Sequence, residues 1–170
     1  STVKLQEQAS TNKYSTANNF NVVKFKDEPE GDEKASAPEK QKVSIVFSSA
    51  QFNVDFEYNK ATNSYKRSLA GNPHVDKISK NQINPKNIIV MTVKRKSTIT
   101  KINEPGYDMT TIGTGNARIF LDGKEIKGTW KKPTVADREL FYDESGNEIV
   151  FNRGQFWICV IPPEGSVTVQ

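Results

Sequence analysis

Apolar and polar residues alternate along much of the chain from residue 43 onward. Every second position is apolar in residues 43–47 and again in residues 52–58. A period of two puts alternate side chains on opposite faces of a strand, so each run predicts a half-buried strand. Residues 88–93 and 156–161 are continuously apolar and rich in β-branched side chains. These two runs predict internal strands that are covered on both faces.

Turn signals separate the apolar runs. Asp122-Gly123, between two strand-like segments, is a type I′ hairpin signal. Other turns are predicted at residues 59–64, 103–106 and 144–147, and a last edge strand at residues 167–169. Short strands joined by hairpin turns predict a mainly β (β-rich α+β) fold, either an antiparallel sandwich or a partly open barrel, with a short N-terminal helix.

The first 42 residues have a different pattern. Residues 1–14 favour a short helix with Leu5 and Ala9 on one face, and residues 20–25 favour a strand. Residues 26–42 hold six acidic residues against four lysines and, apart from Pro29 and Pro38, no apolar side chain larger than that of alanine. Such a stretch offers almost nothing to a core, so we expect a solvated, mobile loop or linker there.

Composition narrows the class of protein. Of 170 residues, 35% are hydrophobic, and the mean hydropathy is −0.65, which predicts a modest core and long solvated segments. No apolar run approaches the ~18 residues of a membrane-spanning helix. A single cysteine, Cys159, excludes a disulfide framework and a CxxC-type zinc site. The net charge of +4 is too small and too dispersed to predict nucleic-acid binding by itself.

Several short motifs occur in an order that is similar to one bacterial family. They are FNVDFEY (52–58), GNPHVD (71–76), PKNIIV (85–90), GTGNA (113–117), GTWKKP (128–133) and NRGQFWI (152–158). In this order they resemble the C-terminal domain of the YerB-like bacterial lipoproteins, a family of unknown function. The resemblance covers residues 43–163, and its specificity lies in the ordered set rather than in any single motif.

The resemblance implies a parent protein with an N-terminal lipobox leader and an upstream domain. Residues 1–25 are then expected to be the tail of that domain, residues 26–42 a charged flexible linker or loop, and residues 43–170 the β-rich C-terminal domain. The chain begins with Ser1, so we expect a removed leader or a piece of a longer chain. The parent is expected to be lipid-anchored at the extracytoplasmic, outer face of the cell membrane, with this part soluble. The resemblance implies no reaction.

His74 is the single histidine and lies two residues before Asp76. As a functional pair, Asp76 would orient His74 as a general base, and Asp108 would complete an acidic pocket. The alternative is a polar loop in which His74 bonds a backbone carbonyl and Asp76 caps a turn. We favour the polar loop, because no nucleophile can be placed beside these residues.

Residues 86–101 hold five basic residues and no acid, Lys94, Arg95 and Lys96 among them. They would contact an anionic polymer such as teichoic acid, or else form a solvated strand end and hairpin tip. Residues 113–117 are glycine-rich enough to cradle a phosphate. They lack the lysine of a P-loop, so we favour a bend between strands in which the glycines allow the backbone to turn.

Two tryptophans are candidates for stacking on a sugar. Trp130 precedes a Lys-Lys-Pro loop and is the better exposed candidate of the two, although core or edge packing is favoured for it as well. Trp157 lies in an apolar run and is expected in the core. Arg118 is a further binding candidate. Cys159 is expected to be a buried, inert side chain. We expect no metal site and no cofactor.

The first functional interpretation is a non-enzymatic domain of an exported lipoprotein. It would be a binding or assembly module at the cell envelope, with an anionic wall polymer or an envelope protein as partner. The alternative is a hydrolase or transferase that uses His74 with Asp76 and Asp108 in a cleft. Nucleic acid is not expected as a partner, because the resemblance implies export.

Overall fold

The computed structural model describes residues 2–14 and 22–170. Across these residues the chain forms two short α-helices, a 3-10 turn at Ala50–Phe52 and fourteen strands. In chain order they are α1 (Thr2–Thr11), β1 (Phe25–Lys26), α2 (Gly31–Ala35), β2 (Lys42–Val46), β3 (Val54–Asn59), β4 (Ser64–Leu69), β5 (Asn72–Pro73), β6 (Asn87–Thr92), β7 (Arg95–Ile99), β8 (Pro105–Met109), β9 (Gly113–Leu121), β10 (Lys124–Lys132), β11 (Leu140–Asp143), β12 (Phe151–Asn152), β13 (Phe156–Ile161) and β14 (Ser166–Val169).

Two five-stranded sheets make up the body of the protein. Sheet A has the strand order β14-β2-β3-β4-β5 and is antiparallel throughout. Sheet B has the order β11-β10-β9-β6-β13 and is antiparallel except for β6 and β13, which pair in parallel. Outside these sheets, β7 and β8 form a hairpin, and β1 pairs in parallel with β12. No helix among the described residues is long and apolar enough to span a bilayer.

The facing sides of the two sheets share one hydrophobic core. Phe56 and Tyr65 of sheet A pack there with Ile88 and Phe120 of sheet B, and all four side chains are fully buried. Every second residue of β3 is buried, as the period of two predicted. The protein is therefore a β-rich sandwich, one of the two predicted architectures.

The outer face of sheet B carries a second core. Ile89 and Trp130 pack there with Phe141 and Phe151. Because neighbouring side chains of a strand point to opposite faces, β6 supplies both cores at once. This confirms that the continuous apolar run of residues 88–93 is a buried strand.

The second continuous apolar run has a different environment. β13 is an edge strand of sheet B, with β6 on one side only. Trp157, Cys159 and Ile161 alternate into the core between the sheets, but Ile158 is 44% exposed. The prediction of an internal strand covered on both faces is therefore wrong here. The residue types of this run correctly predict a strand, but they do not show whether the strand lies at the centre or at the edge of the sheet.

Two predicted hairpins are present at the expected turns, whereas the turn between β7 and β8 spans residues 100–104 instead of the predicted residues 103–106. Asp122 and Gly123 both have positive φ, 55° and 70°, as a type I′ turn between β9 and β10 requires. β3 and β4 pair across the turn predicted between them, with Tyr58 opposite Tyr65. β14 is an edge strand of sheet A, as expected for the last strand.

The N-terminal helix is present as α1, and none of its residues is buried. Of the strand predicted at residues 20–25, residues 20–21 lie outside the described part of the chain. The remainder is shorter than predicted, because β1 begins only at Phe25.

Residues 26–42 hold helix α2 and contact the body of the protein. Pro29 and Ala37 are buried, and Ala37 belongs to the core between the sheets. The expectation that this stretch offers almost nothing to a core is wrong at these two positions, because small side chains fill small gaps. Its mobility remains a prediction.

A buried charge network fixes the start of this segment. Asp122 is 7% exposed, and its Oδ2 lies 2.6 Å from Nζ of Lys26. Its Oδ1 accepts hydrogen bonds from the side-chain amides of Asn63 and Asn152, at 2.8 Å and 2.7 Å. We call these four residues the Asp122 network. Burial alone would raise the pKa of Asp122, but the hydrogen bonds from its three partners outweigh it, and the pKa lies below its usual value.

Candidate functional site

One corner of the sandwich gathers side chains of distinctive chemistry. Arg67 lies on β4, His74 follows β5, and Trp157 and Cys159 lie on the edge strand β13. Cζ of Arg67 is 4.2 Å from the centroid of the Trp157 ring, and the rings of His74 and Trp157 meet edge to face at 5.9 Å. We call these four residues the edge cluster.

Strand geometry brings Arg67 and His74 together. The turn between β4 and β5 contains Ala70 and Gly71, both with positive φ. The chain then returns beside β4, so that the backbone amide of His74 donates to the carbonyl of Arg67 at 3.0 Å. Tyr65 faces the core, and the period of two directs Arg67 to the same face.

Arg67 is a buried cation. It is 6% exposed, and its Nε is buried without a hydrogen-bond partner. Its Nη1 contacts Nδ1 of His74, but no ion pair among the described residues includes Arg67. Burial lowers the pKa of the guanidinium. The rings of Trp157 and Phe56, the latter 5.9 Å from Cζ, stabilise the charge only in part.

His74 serves as an acceptor towards Arg67. A guanidinium has only donors, so Nδ1 of His74 accepts from Nη1 and the ring proton of neutral His74 lies on Nε2. Burial, and then the positive charge of Arg67, lower the pKa of His74 below its usual value. A neutral imidazole with its Nε2–H available is therefore the form at neutral pH.

The structure does not bring the three catalytic candidates together. Oδ1 of Asp76 accepts hydrogen bonds from the backbone amides of Ile78 and Ser79, at 3.1 Å and 2.6 Å. The hydrogen bonds from Ser79 are the main reason why the pKa of Asp76 lies below its usual value. Asp108 lies on β8 opposite Lys96, in the separate hairpin. Asp76 therefore caps a turn, as the polar-loop alternative expected. The same alternative expected the His74 side chain to bond a backbone carbonyl, and this part is wrong, because Nδ1 of His74 contacts Arg67.

A cleft of about 680 Å³ adjoins the edge cluster. One wall is the start of β13, including Trp157, and the other is the loop that contains Asp76, Ser79 and Gln82. The side-chain amide of Gln82 donates to the backbone carbonyl of Arg67 at 2.8 Å, which ties that loop to β4. Trp157 was expected in the core, and it is half-buried with one part facing the cleft.

The predicted basic residues lie on and beside the β7–β8 hairpin. Lys94 and Lys96 are exposed. Arg95 is half-buried, pairs with Glu164, and has Cζ 4.2 Å from the centroid of the Tyr107 ring. Arg95 therefore holds the hairpin against the body, whereas Lys94 and Lys96 form no ion pair with a described residue.

Arg118 has a linking role. It lines a shallow depression of about 800 Å³ on sheet B. Its Nε donates to Oε1 of Glu125 at 2.6 Å and its Nη1 to the carbonyl of Val167 at 2.7 Å. Its charge is therefore satisfied within the protein, and it joins sheet B to the last strand of sheet A.

Trp130 is not an exposed platform. It is 1% exposed, and its indole N–H donates to the carbonyl of Thr92 at 2.9 Å. Gly115 makes this packing possible, since a Cβ there would lie 2.6 Å from Nε1 of Trp130. Core packing, favoured from the sequence, is therefore present, but the expectation that Trp130 is more exposed than Trp157 is wrong. The reason is that Gly115 on the neighbouring strand has no side chain and leaves room for the Trp130 ring. Of the two glycines in residues 113–117, Gly115 thus serves close packing, whereas Gly113 has a positive φ of 119° and open space around it.

Cys159 is a free, buried thiol, as expected. Burial raises its pKa to about 12, so it stays protonated. No group of three or more histidine, cysteine or acidic side chains that could hold a metal ion occurs among the described residues.

Arg67 was not among the residues predicted for a functional site. The signal was present, since Tyr65 and Arg67 share a face once the hairpin from residues 52–58 is in register. An arginine on the inward face of a strand is unusual, and it marks a position that needs explanation.

Comparisons with known proteins agree with this architecture. The family model of the protein of unknown function DUF3048, C-terminal domain, matches residues 43–158. The crystal structure of YerB protein from Bacillus subtilis is similar in fold, with a TM-score of 0.69 and 19% sequence identity. That match covers 99% of this chain and 54% of YerB, so this chain spans about half the length of that protein. No curated protein sequence matches.

The motifs of residues 52–58 and 152–158, which carry the resemblance, form β3, β12 and the start of β13 in this sandwich. The family model spans most of both sheets. The chain therefore belongs to the DUF3048 family, a family of unknown function, and contains its C-terminal domain.

Proposed function

We propose that this chain is a non-enzymatic binding module of an exported, membrane-anchored bacterial lipoprotein, and that its β7–β8 hairpin binds an anionic wall polymer at the outer face of the cell membrane. The observation that carries the proposal is a hairpin outside both sheets that presents exposed lysines. The envelope location is supported by the motif resemblance to YerB-like lipoproteins. An envelope protein is the alternative partner.

The charges of the hairpin suit a repeating polyanion. Lys94, Lys96 and Lys101 are exposed, and none of them forms an ion pair among the described residues. Glu104 and Asp108 lie on the same hairpin and reduce the local charge. Exposed contacts of this kind contribute up to about 1 kcal/mol each. A polymer that engages several of them at once gains from multivalency.

The test is charge reversal at the three free lysines. The variant Lys94→Glu/Lys96→Glu/Lys101→Glu should lose most of its co-sedimentation with cell walls that carry teichoic acid. Arg95 stays unchanged, because it holds the hairpin in place. A matched control is Lys124→Glu/Lys127→Glu/Lys131→Glu, three exposed lysines on β10. Wild-type binding should also fade at high salt, because screening shortens exposed electrostatic interactions to about 3 Å at 1 M.

Three results would overturn the proposal. Equal loss in the β10 control would show a response to net charge rather than to the hairpin. Binding to walls stripped of teichoic acid would point to an envelope protein instead. A hydrolase or transferase activity that disappears in His74→Ala would establish the enzyme alternative. Fractionation of the full-length parent protein tests its location, and recovery in the cytosol would contradict export.

A further inference from the structure

We propose that the edge cluster is a binding site for an oxyanion, a carboxylate or phosphate group, held by Arg67 and His74. This site is separate from the β7–β8 hairpin and does not depend on the proposed polymer binding. It lies between β4 and the edge strand β13, where the adjoining cleft gives room for the rest of the ligand.

The first support is the missing counter-ion. Arg67 is buried and forms no ion pair with a described residue. Residue 1 and residues 15–21 contain no acidic side chain, so every aspartate and glutamate of this chain lies within the described residues. Burying an unpaired charge is costly, and arginine is almost never buried without a partner. An external anion supplies the partner that the chain itself does not.

The second support is the set of donors. Nε of Arg67 is buried with no acceptor, and the guanidinium fork matches the two oxygens of a carboxylate or phosphate. His74 accepts from Arg67 through Nδ1, which leaves its Nε2–H as a further donor. The cluster thus presents donors and positive charge, and that combination selects for an anion.

The third support is the position of Trp157. Its ring packs against the guanidinium of Arg67 and also lines the cleft of about 680 Å³. An aromatic cover lowers the local dielectric, which strengthens an ion pair formed beneath it. A ligand anchored at Arg67 would therefore extend along Trp157 into the cleft.

The experiment uses two-dimensional ¹H–¹⁵N NMR of this chain with inorganic phosphate, acetate or chloride as the probe, at matched ionic strength. The two tryptophans give two indole N–H signals. That of Trp157 should shift saturably with phosphate or acetate and not with chloride, whereas that of Trp130, bonded to the Thr92 carbonyl, should stay in place. Saturation with acetate alone identifies a carboxylate site, and saturation with phosphate alone a phosphate site.

Variants assign the binding to the cluster. Arg67→Met should weaken anion binding at least tenfold, and His74→Ala should weaken it less. Arg153→Gln is the control, because Arg153 is exposed and paired with Asp27. If Arg67→Met does not fold, the wild-type titration decides by itself.

The proposal fails if neither oxyanion shifts the Trp157 signal, or if chloride shifts it equally. It also fails if folded Arg67→Met keeps the wild-type affinity. In each case Arg67 would be a structural cation held only by its aromatic neighbours.

Discussion

Two buried charges of this protein have opposite surroundings. Asp122 is 7% exposed, and a lysine and two amide side chains satisfy its carboxylate. Arg67 is 6% exposed, and its one polar side-chain partner is the neutral imidazole of His74. Both charges lie in tight hairpins of the same sandwich, so burial alone does not distinguish them.

The difference separates a structural role from a binding role. A buried charge whose hydrogen bonds are complete joins the segments that supply them. Asp122, in the turn between β9 and β10, is joined to Lys26 on β1, Asn152 on β12 and Asn63 in the turn between β3 and β4. A buried charge that lacks a counter-ion and has an unsatisfied hydrogen-bond donor keeps a free-energy cost that a bound ligand can relieve. This contrast should appear in the stability and the titration of the two sites.

The largest effect is expected from Asp122→Ala. The change leaves Lys26, Asn63 and Asn152 without their shared acceptor, and should lower the free energy of unfolding by about 3 kcal/mol. Urea denaturation measures it. Asp122→Asn tolerates the same positive φ and separates the charge from the backbone strain. Asp108→Ala, at an exposed position, should change stability by less than about 0.5 kcal/mol. A loss below 1 kcal/mol in both Asp122 variants would contradict a structural role for the network.

Acid should remove the same contribution. The pKa of Asp122 lies below its usual value of 3.8, because the hydrogen bonds from Lys26, Asn63 and Asn152 outweigh the opposing effect of burial. The stabilisation is therefore complete above 3.8 and is lost as the pH falls below it through the folded-state pKa. The stability difference between wild type and Asp122→Ala should narrow across that window in urea melts. A difference that stays constant with pH would show that the carboxylate charge is not what matters.

The local features of these two sites can be predicted from the sequence, but the contacts between residues far apart in the chain cannot. Asp122-Gly123 is a local turn signal and was predicted, as were the two strand-like segments on either side of it. The partners of Asp122 come from residues 26, 63 and 152, which no spacing rule connects. The edge position of β13 could not be predicted from its composition either, because a continuous apolar run can form a central strand or an edge strand. That edge position is what opens Trp157 to the cleft.

Arg67→Met should have little effect on stability or raise it. Methionine fills a similar apolar space and removes an unpaired charge, whereas the lost cation–π contacts act in the opposite direction. The net change in the free energy of unfolding should stay within about 1 kcal/mol of zero. The matched change Arg118→Met breaks an ion pair and a hydrogen bond to a carbonyl, and should cost about 1.5–3 kcal/mol. An Arg67→Met variant as unstable as Arg118→Met would assign Arg67 a structural role.

The smallest effect is in the titration of His74. Because the chain has one histidine, its ring protons report a single titration in NMR. Burial, and then the charge of Arg67, hold its pKa below the usual 6.5, so wild-type stability should fall as the pH drops below 6.5 through the folded-state pKa.

Arg67→Met removes the charge and should raise the pKa of His74 towards 6.5. Phosphate or acetate bound to wild type should raise it as well, since an anion offsets the guanidinium and favours the imidazolium. A pKa that responds to the substitution but not to the oxyanions would leave Arg67 a neighbour of His74 without a ligand. A pKa that responds to both would place the anion beside the Arg67–His74 pair.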